Sequence, residues 1–204
     1  MVPASPRRLV LASRSPRRVQ LARGEGWDVE VVAPPEEAEA DAAPRGCDES
    51  LAAYVRRLAT TKALAVAATG VTGTILACDT LSEIDGQPLG KPTDREDARR
   101  MLTALAGRRH RVVTGVCLWQ RPDLEPLEAD AESWLDMGPL PPDLLEWYLQ
   151  SGLWQGKAGA CGFQDARLPL HLVAGSSSNV VGLPLELIRG MLADLDSRLA
   201  SRRP

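Results

Sequence analysis

Leu9-Val10-Leu11-Ala12-Ser13-Arg14-Ser15-Pro16-Arg17-Arg18 passes from a short apolar run straight into a helix start. The apolar residues read as a buried strand. Ser15 is a favourable N-cap, and Pro16 suits the first helical position, where a missing N–H costs nothing. A strand delivered onto a helix N-terminus is the opening of an α/β unit. Val29 to Val32 reads as the next strand, closed by Pro34-Pro35, and residues 36–50 read as an acidic, Ala/Pro-rich loop. From Glu49 to about Ala68 the spacing predicts a helix. Leu51, Val55, Leu58, Lys62 and Ala65 share one stripe at intervals of three and four.

Further along, Thr74-Ile75-Leu76-Ala77-Cys78 forms an apolar strand that should end by delivering Asp79-Thr80 at its tip. Leu81 to Ile84 with Asp85-Gly86 reads as a strand entering a tight turn. Thr93 and Glu96 have the spacing of a capping box, and Gly107 ends the helix that follows. Strands are expected at Val112 to Leu118, Ala131 to Leu135 and Leu168 to Val173, with residues 121–128 as a connection. Helices are expected at Pro142 to Leu149 and Leu185 to Leu195. The strand-rich stretch around 110–137 points to a mixed sheet rather than a purely parallel one.

Composition narrows the function classes. Of 204 residues, 44% are apolar and 25% charged, with a net charge of -3. That balance is ordinary for a soluble globular protein and offers no electrostatic case for a nucleic-acid binder. No apolar stretch approaches the ~20 residues of a membrane span, and the start lacks the apolar core of a signal peptide. A cytoplasmic location is the expectation. Cys47, Cys78, Cys117 and Cys161 are scattered, and His110 and His171 are the only histidines, so zinc is poorly supported. Any metal should be a hard cation held by oxygen.

Four features carry chemistry. A carboxylate at the end of a buried strand, Asp79, sits where open α/β sheets place ligand crevices, although such an Asp also caps turns. Lys62 occupies the middle of an apolar stripe, where a snorkelling lysine is the bland alternative. Lys91 lies between Gly90 and Pro92, which suggests a fixed backbone. Around Ser13, Arg17 and Arg18, hydroxyls, guanidinium groups and a helix N-terminus together make an anion site. The earlier Ser5-Pro6-Arg7-Arg8 has the same letters but no strand before it, and is assigned no role. Glu36 and Glu37 read as solvated loop charge. No Walker loop, G-x-G-x-x-G or G-x-S-x-G is present. From the residues alone the chain reads as a phosphate-handling α/β protein.

The order of these pieces resembles the Maf family from about residue 9 to 195. The resemblance is carried by Leu11 to Arg18, Leu58-Ala59-Thr60-Thr61-Lys62-Ala63, Ala77-Cys78-Asp79-Thr80 and Leu89-Gly90-Lys91-Pro92. It continues through Ala106-Gly107 to Thr114-Gly115, Lys157 to Gln164 and Val180 to Leu185. It implies a fold related to the inosine-triphosphate pyrophosphatases, with a mixed twisted sheet flanked by helices and two lobes around a deep cleft. One catalytic domain would span 9–197 between tails at 1–8 and 198–204.

The resemblance also implies metal-dependent cleavage of a nucleoside triphosphate between the α- and β-phosphorus, with Mg²⁺ or Mn²⁺. Asp79 would be the proton acceptor. Ser13, Arg18, Lys62 and Lys91 would hold phosphates, and Glu37 would place the metal with Asp79. Arg17, Thr80 and Gln164 resemble the branch acting on dTTP and UTP. Cys161, where an aromatic is usual, Ser82, where an aliphatic is usual, and the placing of Trp154 depart from the pattern. Two alternatives stay open: a 7-methylguanosine-triphosphate or broad-range pyrophosphatase, and a non-catalytic nucleotide-binding regulator of septum formation. A homodimer is left open as well.

Overall fold

Strand pairing organises the chain. In the computed structural model, which describes residues 7–35 and 43–202, β1 (Arg8–Ala12) runs parallel to both β2 (Asp28–Val31) and β3 (Gly73–Ile84). β3 pairs antiparallel with β5 (Arg109–Arg121), β5 with β6 (Leu127–Met137), and β6 with β7 (Leu170–Ala174). The order is β2-β1-β3-β5-β6-β7, with β4 (Gln87–Leu89) folded back on β3. The expected mixed sheet is present. Asp85 and Gly86 both take positive φ, 52° and 76°, the geometry of the two-residue turn that joins β3 to β4.

Helices cover both faces: α1 (Pro16–Gly24), α2 (Leu51–Ala67), α3 (Arg95–Leu105), α4 (Pro142–Ser151), α5 (Ser177–Val181) and α6 (Leu185–Ala200). Alternation along β3 divides its side chains between two cores. Ile75 and Ala77 meet Ala59, Ala63 and Val66 of α2. Leu76 and Cys78 meet Ile188, Met191 and Leu195 of α6. A third core joins α3 and α4 through Met101, Leu102, Leu105, Tyr148 and Leu149, and Trp154 packs there. α2 lies so close to β5 that a Cβ on Gly115 would come within 2.2 Å of the Val55 carbonyl oxygen. Glycine at 115 is what lets the helix carrying Lys62 sit on the sheet.

Three local expectations need correction. Asp79 does not end a strand, because β3 continues to Ile84 through unbroken antiparallel pairing with β5. The crevice arises on the other edge. β1 pairs only as far as Ala12 opposite Ala77, and β4 begins with Leu89 opposite Ser82. Asp79, Thr80 and Leu81 therefore face a gap in the sheet. The box at Thr93 and Glu96 is shifted by one residue: Asp94 caps α3 by accepting from the Asp97 amide, and Asp97 accepts from the Thr93 amide. Ser15 stands at the N-cap of α1 but makes no side-chain cap bond; its amide donates to Ser13 Oγ at 3.1 Å. The short α5 and the 3₁₀ turn Ala158–Ala160 carry too little periodicity to be read from sequence.

Candidate active site

The gap between β1 and β4 opens into a cavity of about 370 Å³. Ser13, Arg17, Arg18, Lys62, Asp79, Thr80, Lys91 and Gln164 all line it. Residues distant in sequence, and singled out for different reasons, therefore converge on one space. Glu36 and Glu37 lie outside the described residues.

Lys62 belongs to a buried helix face, yet its ammonium does not snorkel to bulk water. Nζ donates to Asp79 Oδ1 at 2.5 Å. The odd-numbered residues of β3 face α2, and this parity brings the carboxylate beneath the lysine. The even-numbered Thr80 points to the opposite face. There its hydroxyl accepts from Arg18 Nη2 at 2.9 Å and lies 3.0 Å from Thr114 Oγ1.

Arg18 also donates from Nε to Gly182 O at 2.6 Å and from Nη1 to Cys78 O at 2.8 Å. Three of the five N–H groups of a guanidinium are thus spent on protein acceptors. Gly182 has φ +100°, and a Cβ there would fall 2.8 Å from Thr80 Oγ1, so glycine is required twice over. Arg17 donates to Gly156 O at 3.0 Å; burial, and then the neighbouring Arg18, lower its pKa from the ordinary value.

The opposite wall is the loop from Gly156 to Asp165. Asp165 Oδ2 accepts from Lys157 Nζ at 2.5 Å, from the Tyr148 hydroxyl at 2.5 Å and from the Gly162 amide at 3.1 Å. Burial, then the bond to Asp165, push the Tyr148 phenol upward. This clamp fixes the backbone on either side of Cys161, Phe163 and Gln164, which line the cavity. Burial raises the Cys161 thiol to about 12, so it stays protonated near neutral pH. Ser82 also lines the cavity, packed so close beneath Gly159 that a Cβ there would be 2.9 Å from its hydroxyl. Trp154 belongs instead to the α3–α4 core, with Nε1 donating to Leu149 O.

Lys157, Asp165, Tyr148 and Thr114 carried no expectation as site-building residues. For Thr114 a signal existed, a hydroxyl within the apolar run Val112 to Leu118. For Asp165 the partners come from two other segments, and nothing local marks it.

The charge balance is lopsided. Among the described residues, Arg14, Arg17, Arg18, Lys62, Lys91 and Lys157 line the cavity with one lining carboxylate, Asp79, while Asp165 behind the wall pairs with Lys157. In a chain of net charge -3, such concentration of cations focuses attraction on a polyanion. Among the described residues no group of three or more His, Cys, Asp or Glu side chains is placed to hold a metal ion. A resident all-protein cage is therefore not what these residues form. One carboxylate beside clustered cations suits Mg²⁺ only where a ligand brings phosphates, since that ion is usually held by one or two carboxylates together with substrate phosphates.

Fold and cavity together define an α/β protein whose sheet gap gathers, among the described residues, a cluster of cationic side chains around the carboxylate of Asp79. The chain belongs to the Maf family: the family model described as Maf-like protein matches residues 8–195. A dTTP/UTP pyrophosphatase of Rhodopirellula baltica is 40% identical, over 94% of this chain and 84% of that one. A second from Anaeromyxobacter is 43% identical over 89% and 88%. A nucleoside triphosphate pyrophosphatase of Streptomyces coelicolor is 37% identical over 96% and 94%. Among solved structures, the Staphylococcus aureus Ham1 protein aligns with a TM-score of 0.43 at 17% identity, covering 64% of this chain and 72% of that one.

Proposed function

We propose that this chain hydrolyses dTTP and UTP to the monophosphate and pyrophosphate, in the cytoplasm, and so limits incorporation of unwanted nucleotides into nucleic acid. The observation that carries the reading is the cavity that, among the described residues, is lined by six cationic side chains and one carboxylate, Asp79. Such a cluster attracts a polyanion such as a triphosphate, and its hydrolysis needs one group to take a proton from water.

Lys62, Lys91, Ser13 and the two spare N–H groups of Arg18 hold the phosphate oxygens. Asp79 accepts a proton from the attacking water as that oxygen bonds to the α-phosphorus. The bond from the α-phosphorus to the α–β bridging oxygen breaks, and pyrophosphate leaves with the electron pair. Phosphoryl transfer asks little covalent work of the protein, so positioning and charge neutralisation supply most of the rate. A divalent cation, Mg²⁺ or Mn²⁺, held by Asp79, Glu37 and the substrate's own phosphates would neutralise charge on the leaving group when bound. Uracil and thymine present a carbonyl acceptor beside the N3–H donor, and the Gln164 carboxamide can answer both. Arg17 shapes preference beside it.

The test is pyrophosphate release from a panel of purified triphosphates with Mg²⁺ or Mn²⁺. dTTP and UTP should be turned over with the highest kcat/KM. A preference for 7-methylguanosine triphosphate, or binding without turnover, would overturn the reading.

A further inference from the structure

We infer that Thr114, buried behind the cavity wall, is a positioning residue that acts through Thr80 to fix the substrate-facing guanidinium of Arg18; this rests on the phosphate-holding role proposed for Arg18. Thr114 is fully buried and is not among the cavity-lining residues, so its effect on a ligand must be indirect.

The argument follows from which atoms can donate. A guanidinium has no acceptor, so in the 2.9 Å contact with Arg18 Nη2 the Thr80 oxygen accepts. A backbone carbonyl cannot donate, so in the 3.1 Å contact with Asn179 O the Thr114 hydroxyl gives its hydrogen. The 3.0 Å contact between the two hydroxyls then has one polarity compatible with both neighbours, Thr80 donating to Thr114. Hydrogens run in one direction from Arg18 through Thr80 and Thr114 to Asn179. With its hydrogen committed, Thr80 has none to offer a nucleobase. Its oxygen is also crowded on the Gly182 side.

Without Thr114 the Thr80 hydroxyl loses the acceptor that turns its lone pair to Arg18. The guanidinium keeps Cys78 O and Gly182 O but loses the third point that fixes its plane. Asn179 O is still satisfied, since it also accepts from the Gly182 amide at 2.8 Å.

The experiment compares the full chain with Thr114→Val, Thr114→Ser, Thr80→Val and the double variant Thr80→Val/Thr114→Val. It measures kcat/KM for UTP and GTP, the affinity for inorganic tripolyphosphate by calorimetry, and the melting temperature. One lost hydrogen bond to a charged donor is worth roughly tenfold. Thr114→Val should therefore weaken tripolyphosphate binding and UTP kcat/KM by about tenfold, with the UTP:GTP ratio unchanged. Thr114→Ser should restore both to within about twofold. The double variant should be no worse than Thr80→Val alone, because both break one chain.

Wild-type tripolyphosphate affinity in Thr114→Val, or losses that multiply in the double variant, would overturn the inference. If Thr114→Val does not fold, Thr80→Val decides: a changed UTP:GTP ratio with intact tripolyphosphate affinity makes Thr80 a base reader and overturns it. A wild-type chain that releases no pyrophosphate from UTP would defeat the proposed function. Tripolyphosphate binding needs no turnover and would still settle the role of Thr114.

Discussion

Lys62–Asp79 and Lys157–Asp165 are the same chemical pair at the same 2.5 Å, with side chains exposed 7% and 15% in the first and 10% and 12% in the second. Distance and burial do not separate them. What differs is how much of each carboxylate is already spoken for. Asp165 Oδ2 takes two further donors, Tyr148 and the Gly162 amide, and Asp165 does not line the cavity. Asp79 lines the cavity, and among the described residues Lys62 is the side chain that donates to it. A saturated carboxylate locks a loop. An unsaturated one facing the cavity keeps lone pairs for other partners.

The most forceful way to break this contrast is to neutralise each carboxylate in turn. Asp79→Asn fills the same space and cannot accept a proton, so turnover should fall by ~10²–10⁴-fold. It also takes the charge partner from the buried Lys62 ammonium, so its melting temperature should fall, though less than that of Asp165→Asn, whose carboxylate also holds Tyr148 and the Gly162 amide. Asp165→Asn strips the negative charge from a buried pair and leaves the Lys157 ammonium uncompensated, a change that typically costs about 3–5 kcal/mol of stability. Activity per folded molecule should survive better than in Asp79→Asn. Kinetics and thermal melts on both variants decide, and a swapped outcome would mean that carboxylate saturation does not distinguish the two pairs.

Lys62→Met sharpens the same point from the cationic side. Methionine fits the apolar α2 face but leaves the Asp79 carboxylate without its cation, and removing one partner of a buried pair is destabilising. Turnover per folded molecule should drop steeply, while the melting temperature falls only moderately. A large loss of stability with normal specific activity would make Lys62 a structural partner like Lys157.

How much of this was readable beforehand depends on how local each signal is. The start of α1 was legible because Ser15 and Pro16 act on the residues beside them. Lys62 was legible as an ion on an apolar stripe, which is a helical-period signal. β3 was read as two pieces because polar Asp79-Thr80 interrupts its apolar run. What holds those residues in a strand is pairing with Thr114 and Gly115 on β5, which no local window contains. The Asp165 clamp joins residues from α4 and from both ends of a loop. Only the fold brings those together, so the sequence pointed to Gln164 while giving no sign of what holds it.

That neighbour relation supports a finer test. Gln164→Glu places a carboxylate where a carboxamide could both donate and accept. A uracil carbonyl would then face negative charge. A buried polar mismatch of ~1–3 kcal/mol corresponds to roughly tenfold to a hundredfold in kcat/KM for UTP. GTP, whose base edge offers two adjacent N–H donors, should lose less. Thermal stability should stay near wild type, since the Asp165 clamp is untouched. An unchanged UTP value would show that residue 164 does not read the base.

The smallest effect belongs to a third pairing, which calibrates the other two. Arg7 binds Asp196 through both terminal nitrogens at 2.7 and 2.9 Å, and Arg8 reaches Glu30 at 3.0 Å. These contacts are as short as many in the cavity, but Asp196, Arg8 and Glu30 are largely in water. Water screens the attraction, and ordering long side chains costs entropy, so each exposed pair contributes only ~0–1 kcal/mol. Added salt weakens it further, with a screening length of about 8 Å near physiological ionic strength. Neither arginine lines the cavity. Arg7→Ala with Arg8→Ala should therefore leave kcat/KM within about twofold and shift stability by no more than ~2 kcal/mol over the two pairs, less at high salt. Arg17→Ala with Arg18→Ala alters the same Ser-Pro-Arg-Arg letters but removes the Gly182, Cys78 and Thr80 contacts along with two cavity cations, and should cripple turnover. Equal damage from both double variants would mean that the position of an arginine in the fold, in the first turn of the helix that follows β1, is not what makes it functional.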